Sequence, residues 1–286
     1  MIFEHEIPSG SKLYFAQSAR IKREIEFVSS EILENLGFEE IVTPIFSYHQ
    51  HEYFDDKKPL IRLNDEQNHE VSLRADSTAD VVRIVTKRLG RSTDSKKWFY
   101  IQPTVTFPTI EQYQIGAEII DGEFPVVAKT AMMLLNEIGI EPIMQISNIR
   151  IPHLLHEKYD ISLEVIKSMN LEKLLQIGPS WIEALAKINR LEDLDDLEIF
   201  PDDIRSELEA MKASVLSIDH THAVLSPLFY AKMRYYDSMT FRMFMGNDLL
   251  AMGGTYRIEG VEAAGFALYT DECICYKMDN KVENEQ

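Results

Sequence analysis

The sequence predicts an α+β fold: one antiparallel sheet assembled from both ends of the chain and flanked by helices, with a helical insertion at about 153–217. Three observations carry that reading. Strand-like runs occur before residue 152 and again after 219, and long apolar stripes with helical spacing lie between the early strands. The stretch from His153 to about Ser217 is almost wholly helical in pattern, with few strand signals. Length agrees, because 286 residues bury an ample core.

Taken in order, Ile21, Ile25, Val28, Ile32 and Leu36 form one stripe of a helix that Gly37 can stop. Residues 38–46 are β-branched and contain Pro44, so they read as one strand near an edge or interface, where a missing donor is tolerated. Strands are expected at Val71 to Leu73, Lys97 to Gln102 and Gln112 to Ile120, with a helix at Thr78 to Arg88 between the first two. Phe124 to Gly139 suits a helix, and Ile143 to Ile151 a strand that Pro152 ends. Beyond Asp219, Phe229 to Tyr236 and Met239 to Phe244 lead through a turn at Gly246 into Leu249 to Met252, a hairpin returning to the sheet. Residues 1–276 form one domain on this reading, and 277–286 a frayed polar tail.

Composition narrows function. A net charge of −18 argues against a protein that wraps a phosphate backbone, since such binding gains from counterion release to Lys and Arg. Two cysteines, Cys273 and Cys275, make no disulfide framework and fit a reducing compartment. The N-terminus carries acids where a signal peptide needs bases, and no apolar run reaches the ~18–20 residues of a membrane span. The expectation is a soluble, cytoplasmic protein that meets neither membrane nor tRNA.

Several local patterns carry no chemistry. His220 and His222 beside Asp219 lack a second ligand pair, and alternate strand residues face opposite ways. The acids from Glu192 to Asp203 lack the glycine and ladder spacing of a calcium loop and read as a solvated face. Cys273 and Cys275 have neither C-x-x-C spacing nor nearby bases and read as core. Gly253-Gly254 reads as a turn or tight packing site. No metal and no cofactor is expected.

One ordered set of segments resembles a known family. Gly37-Phe38-Glu39-Glu40-Ile41-Val42-Thr43-Pro44, after a helix, is similar to the first motif of class II aminoacyl-tRNA synthetases. Leu73-Arg74-Ala75-Asp76-Ser77-Thr78-Ala79 resembles the Leu-Arg-Pro-Glu-Gly-Thr-Ala segment of the histidyl branch. Trp98 to Pro103 with Gln114 to Glu118 resembles the second motif, and Tyr235-Tyr236 with Met239 to Phe241 the histidyl-specific tyrosine pair. Gly253-Gly254-Thr255-Tyr256 and Ala264-Gly265-Phe266-Ala267 resemble the third motif.

The resemblance implies a class II synthetase-like fold, a dimer interface at Pro44, and a histidine pocket. Asp76 and Thr78 match positions that bind the α-amino group, Gln114 an amino- or carboxylate-side contact, and Glu118 with Tyr235 and Tyr236 the imidazole-reading end. The family's arginines are missing: their positions fall on Thr106, Ala231 and Glu272. Phosphate chemistry needs such preorganised cations, so adenylate formation is not expected. The chain also stops after the third motif, where a synthetase continues into an anticodon domain. A histidyl core so altered resembles the regulatory subunits of ATP phosphoribosyltransferase. That implies a non-catalytic subunit of histidine biosynthesis, a homodimer partnered by the catalytic subunit, with L-histidine as effector.

Other readings stand beside this one. Asp76 and Glu118 also suit structural ion pairs with Arg74 or Arg83, and adjacent strand tyrosines should send one ring to each face, leaving at least one in the core. Two alternative functions remain: an orphan enzyme activating a carboxylic acid for a non-tRNA acceptor with Lys232, Arg234 and Arg257, or a dimeric scaffold with a decayed pocket.

Overall fold

The computed structural model describes residues 6–52, 54, 56–218, 223–231 and 235–284, with side chains as far as 279. Asp219, His220, His222, Lys232 and Arg234, all singled out above, lie outside the described residues. A long helix, α1 (Ala16–Asn35), opens the fold and buries Ile21, Ile25, Ser29 and Leu33. It ends where expected. Gly37 takes φ +80°, its N–H bonding the carbonyl of Glu34 while the Phe38 N–H bonds that of Leu33, so the last carbonyls are satisfied.

The next segment departs from expectation. Residues 38–46 form two short strands, β1 (Glu39–Glu40) and β2 (Phe46–Ser47), in different sheets. Pro44 stands between them, and Thr43 N–H bonds the side chain of Gln102 (3.1 Å) instead of a ladder carbonyl. Lacking a donor, proline suits the point where the chain changes sheets. A separate small sheet joins β2 to β3 (Arg62–Asn64) and β4 (Glu70–Leu73), so the strand at Val71 to Leu73 does not enter the main sheet. Helix α2 (Thr78–Ile84) follows and widens into a π-helical turn at Val85–Leu89.

Long strands β5 (Lys97–Thr106) and β6 (Ile110–Ile120) form a hairpin; α3 (Phe124–Glu137) and β7 (Ile143–Asn148) come next. A run of helices then fills 150–218: α4 (Arg150–Tyr159), α5 (Leu163–Lys167), α6 (Leu171–Ile177), α7 (Ile182–Lys187) and α8 (Asp202–Ile218). Pro152 does not end a strand; it sits in the first turn of α4, where its missing N–H has no intrahelical partner to lose. Tyr159, Trp181 and Phe200 pack edge to face at 5.1 and 6.0 Å inside this run, while Glu192, Asp193, Asp195, Asp196 and Glu198 remain in solvent.

The chain returns through β8 (Ala223–Leu225), β9 (Tyr236–Met245), β10 (Asp248–Ile258) and β11 (Val261–Tyr269), and finishes in α9 (Thr270–Asn284). The segment from 277 therefore continues a helix to Asn284 instead of separating as a tail. Among the described residues the main sheet runs β1-β5-β6-β11-β10-β9-β7-β8; its six central strands are antiparallel, while both edge pairs, β1 with β5 and β7 with β8, are parallel. The sheet is thus antiparallel through its centre, as expected, and mixed by its two edge pairs. One face carries Phe99, Ile115, Ala117, Ala264, Phe266 and Leu268 into a core shared with α1, α3 and α9. Cys273 belongs to that core, but Cys275 is exposed. Helix α2 covers part of the other face.

Candidate functional site

The face under α2 carries the polar groups. Alternation along the strands aims Tyr100 on β5, Gln114, Gly116 and Glu118 on β6, Met252, Gly254 and Tyr256 on β10, and Gly265 and Ala267 on β11 toward this side. The glycines make room for large neighbours. A Cβ on Gly116 would lie 2.1 Å from the Tyr100 ring, and one on Gly265 only 1.7 Å from Glu118 Oε2. Gly253 and Gly254 are a packing site within β10, each having a backbone oxygen 2.4 Å from where a Cβ would stand.

These residues surround a cavity of about 150 Å³, lined by Phe54, Asp76, Thr78, Gln112, Gln114, Tyr235, Tyr236, Tyr256 and Tyr269 among others. Five of the six expected pocket residues thus share its wall. Glu118 stands one layer behind, fully buried, accepting hydrogen bonds from the hydroxyls of Tyr256, Thr78 and Tyr100, the last at 3.4 Å. Asp76, at the N-terminus of α2, accepts from the Tyr235 hydroxyl (3.0 Å) and from the N–H of Ala79 (3.0 Å). Its own N–H and that of Ala75 bond the side chain of Gln50 at 2.8 and 3.0 Å, which fixes the loop before the helix.

Neither acid forms the ion pair that the sequence allows. Arg74 spends its guanidinium on the carbonyls of Thr43, Pro44 and Pro103, and Arg83 faces Glu52 and Glu259. Without a cation, burial dominates: it pushes Asp76 up to about 6 and Glu118 to about 8, against the opposing pull of their N–H and hydroxyl donors. Burial and the nearby carboxylates also raise Tyr100, Tyr235 and Tyr256 well above the usual phenol range, so their hydroxyls stay protonated donors.

The expectation of one tyrosine ring per face fails. Tyr235 lies in the turn before β9, so strand alternation starts only at Tyr236, and both rings reach the cavity with centroids 5.0 Å apart. A register shift between β9 and β10 places Tyr236 opposite Tyr256, re-aiming the strand at the site. Among the site residues that the sequence reading did not assign are Tyr256, 2% exposed, and Tyr100, the two tyrosines that bond Glu118. Their signal lay in strand alternation with Gly254 and Glu118.

A second cavity of about 270 Å³ adjoins the first, sharing Gln112 and Tyr269 and adding Asn247, Asp248, Leu249 and Glu272. Glu272 gives this wall an acid beside Asp248. A larger open groove of about 1030 Å³ runs beside β8 between Asn189 to Asp193 and Val224, but its acids are exposed and, among the described residues, no buried polar group converges on it. Beside Pro44 a third hollow of about 330 Å³ is lined by Phe46, Tyr48, Arg83 and Lys87. Among the described residues no three His, Cys, Asp or Glu side chains stand together as a metal site, and no helix is long and apolar enough to cross a membrane.

Comparison with known proteins agrees with this architecture. The family model described as histidyl-tRNA synthetase matches residues 14–273. The ATP phosphoribosyltransferase regulatory subunit of Wolinella succinogenes is 44% identical over 276 residues, covering 96% of this chain and 96% of its own. That of Helicobacter hepaticus is 41% identical, covering 96% and 98%. Among solved structures, an ATP phosphoribosyltransferase regulatory subunit/histidyl-tRNA synthetase from Bacillus halodurans superposes with TM-score 0.83 at 19% identity, over 96% of this chain and 83% of that one. The family model's match over residues 14–273 and the two near-full-length relatives lead to one assignment: the chain belongs to the ATP phosphoribosyltransferase regulatory subunits, built on a histidyl-tRNA synthetase-like class II fold.

Proposed function

We propose that the chain is a non-catalytic subunit of ATP phosphoribosyltransferase in histidine biosynthesis, that it binds L-histidine in the cavity under α2, and that histidine acts there as effector. The near-full-length identity to two regulatory subunits carries the partner. The cavity supports the ligand: at about 150 Å³ it is below the roughly 300–1,000 Å³ of drug-sized sites, and Asp76, Gln114 and the tyrosines offer acceptors and ring faces to an amine and an imidazole. Glu118 serves this end by fixing the hydroxyls of Tyr256 and Thr78. The effector shifts the assembly only in so far as it binds its states unequally.

Ala231 and Glu272 support the absence of synthetase chemistry, the first being buried and apolar, the second acidic on the adjoining wall. Arg257, one of three cations required by the orphan-enzyme alternative, is exposed and pairs with Glu262, leaving that reading without support among the described residues. On this proposal the helices from α4 to α8 are an insertion within one domain, and the protein works in the cytoplasm without tRNA. Two copies associate through the Pro44 face, where Val42, Ile45, Phe46 and Tyr48 stand 41–75% exposed.

Mixing the purified chain with a short-form transferase, with and without L-histidine, tests the reading. A stable complex with raised transferase activity is expected, together with micromolar histidine binding, about −8 kcal/mol, that Glu118→Gln weakens. No complex and no change in activity would remove it.

A further inference from the structure

Gln50 is fully buried in the short 3₁₀ turn Gln50–Glu52 that follows β2, and it is not part of the cavity wall. Its amide nevertheless uses every polar valence on Asp76 and its neighbours. Oε1 accepts from the N–H groups of Ala75 and Asp76 at 3.0 and 2.8 Å, while Nε2 donates to the Asp76 carbonyl at 2.8 Å and to Asp80 Oδ2 at 2.7 Å. A primary amide offers two lone pairs and two protons on one flat group, and turning it over would set its NH2 against two N–H donors. Glutamate at this position would keep the acceptors and lose the amide donors.

One side chain thus holds the backbone of Asp76 from both sides, by its N–H and by its carbonyl. With that backbone fixed, the carboxylate is aimed by the two groups it accepts from, the Ala79 N–H and the Tyr235 hydroxyl, and keeps lone pairs for a ligand. The clamp has a firm base. Asp80, 5% exposed, also accepts from the Ser47 hydroxyl on β2 at 2.9 Å, so Gln50 ties the acid of the cavity to the small sheet. An acceptor ordered in advance binds more tightly than one that must be ordered as the ligand arrives, because the ordering cost subtracts from affinity. We propose that Gln50 is a positioning residue for ligand binding, acting through Asp76 to fix the acid that receives the ligand's ammonium. This rests on the cavity being the histidine site proposed above and names a residue outside its wall that sets its affinity.

NMR titration of the full chain with L-histidine, which reads affinities into the millimolar range, tests this on the wild type, Gln50→Leu, Asp76→Asn and the double variant, with a thermal midpoint taken on each. Gln50→Leu is expected to weaken binding about tenfold, and Asp76→Asn about tenfold. The double variant is expected to bind within about threefold of Asp76→Asn, because little attraction is left to position once the charge is gone. Losses that multiply to about a hundredfold in the double variant would overturn the inference, since Gln50 would then act independently of Asp76. A Gln50→Leu protein that binds as the wild type does would overturn it too, and both outcomes leave the histidine site in place. Where Gln50→Leu does not fold, Gln50→Glu, which keeps the acceptors, carries the same cycle. No binding of L-histidine by the wild type would remove the histidine site and the inference together.

Discussion

Glu118 and Gly265 stand opposite each other on β6 and β11, and the carboxylate fills the space that a Cβ at position 265 would need: its Oε2 lies 1.7 Å from that point. The glycine and the buried acid are therefore one feature. Gly265→Ala is expected to cost about 1–3 kcal/mol by overpacking. Adding Glu118→Ala should recover part of the loss, because the side-chain clash is gone while the Ala117 carbonyl, 2.7 Å from the same point, remains. Denaturant midpoints of the two single variants and the double variant measure the coupling; additive losses would show that the two positions act separately.

The same carboxylate makes stability depend on pH in an unusual direction. Glu118 titrates at about 8 in the folded protein against 4.5 for an ordinary glutamate, because burial disfavours its charge. Its contribution is complete below about 4.5 and disappears as pH rises through 8. Asp76, at about 6 against 3.8, acts with the same sign over the lower part of that range. The wild type should lose on the order of a few kcal/mol between pH 6 and pH 9 through Glu118. Glu118→Gln should flatten that slope while Asp76→Asn leaves most of it. Urea midpoints at the two pH values decide, and an unchanged slope in Glu118→Gln would place the titration elsewhere.

Legibility of the fold followed the scale at which each feature is determined. Gly37 stops α1 through its own φ and two local hydrogen bonds, so helical spacing plus one glycine located that boundary. Residues 38–46 have one β-branched character throughout, yet β1 and β2 belong to different sheets, because tertiary partners decide it: Gln102 takes Thr43, and β4 takes Phe46. Helix α9 was missed because its apolar positions are few; buried Asp271 helps hold its start by accepting from the Tyr113 N–H and the Tyr14 hydroxyl, far away in sequence. Motif order brought most of the cavity wall together. Tyr256 escaped because its role depends on the register shift that sets it against Tyr236 and on its reach across β11 to Glu118.

Arg74 should behave as a structural tie. Its Nε and one NH2 group hold the Pro103 carbonyl at 3.0 and 2.7 Å, and the other holds Thr43 and Pro44 at 2.8 and 3.3 Å, binding the sheet-changing segment to β5. Arg74→Met strands these acceptors and is expected to cost about 1–3 kcal/mol. Arg74→Lys should rescue less than half of that, since a single ammonium cannot span both sides as the planar fork does. Full rescue by lysine in thermal unfolding would mean that charge, not geometry, is what the site requires.

The face beside Pro44 leads to the last prediction. Val42 is 75% exposed and Phe46 54%, with Ile45 and Tyr48 at 41% and 50%, while Thr43 and Ser47 between them point inward. Exposed apolar side chains gathered this way are costly to leave in water unless a partner covers them. The homodimer proposed on this face should therefore dissociate when a charge is placed in it. Phe46→Asp is expected to shift the protein to monomer in sedimentation and to leave the spectrum of the folded monomer intact, because Phe46 packs outward. Phe27→Asp, on an equally exposed aromatic of α1 at 60%, serves as the control and should leave the oligomeric state unchanged. A Phe46→Asp protein that sediments as a dimer would move the interface away from Pro44.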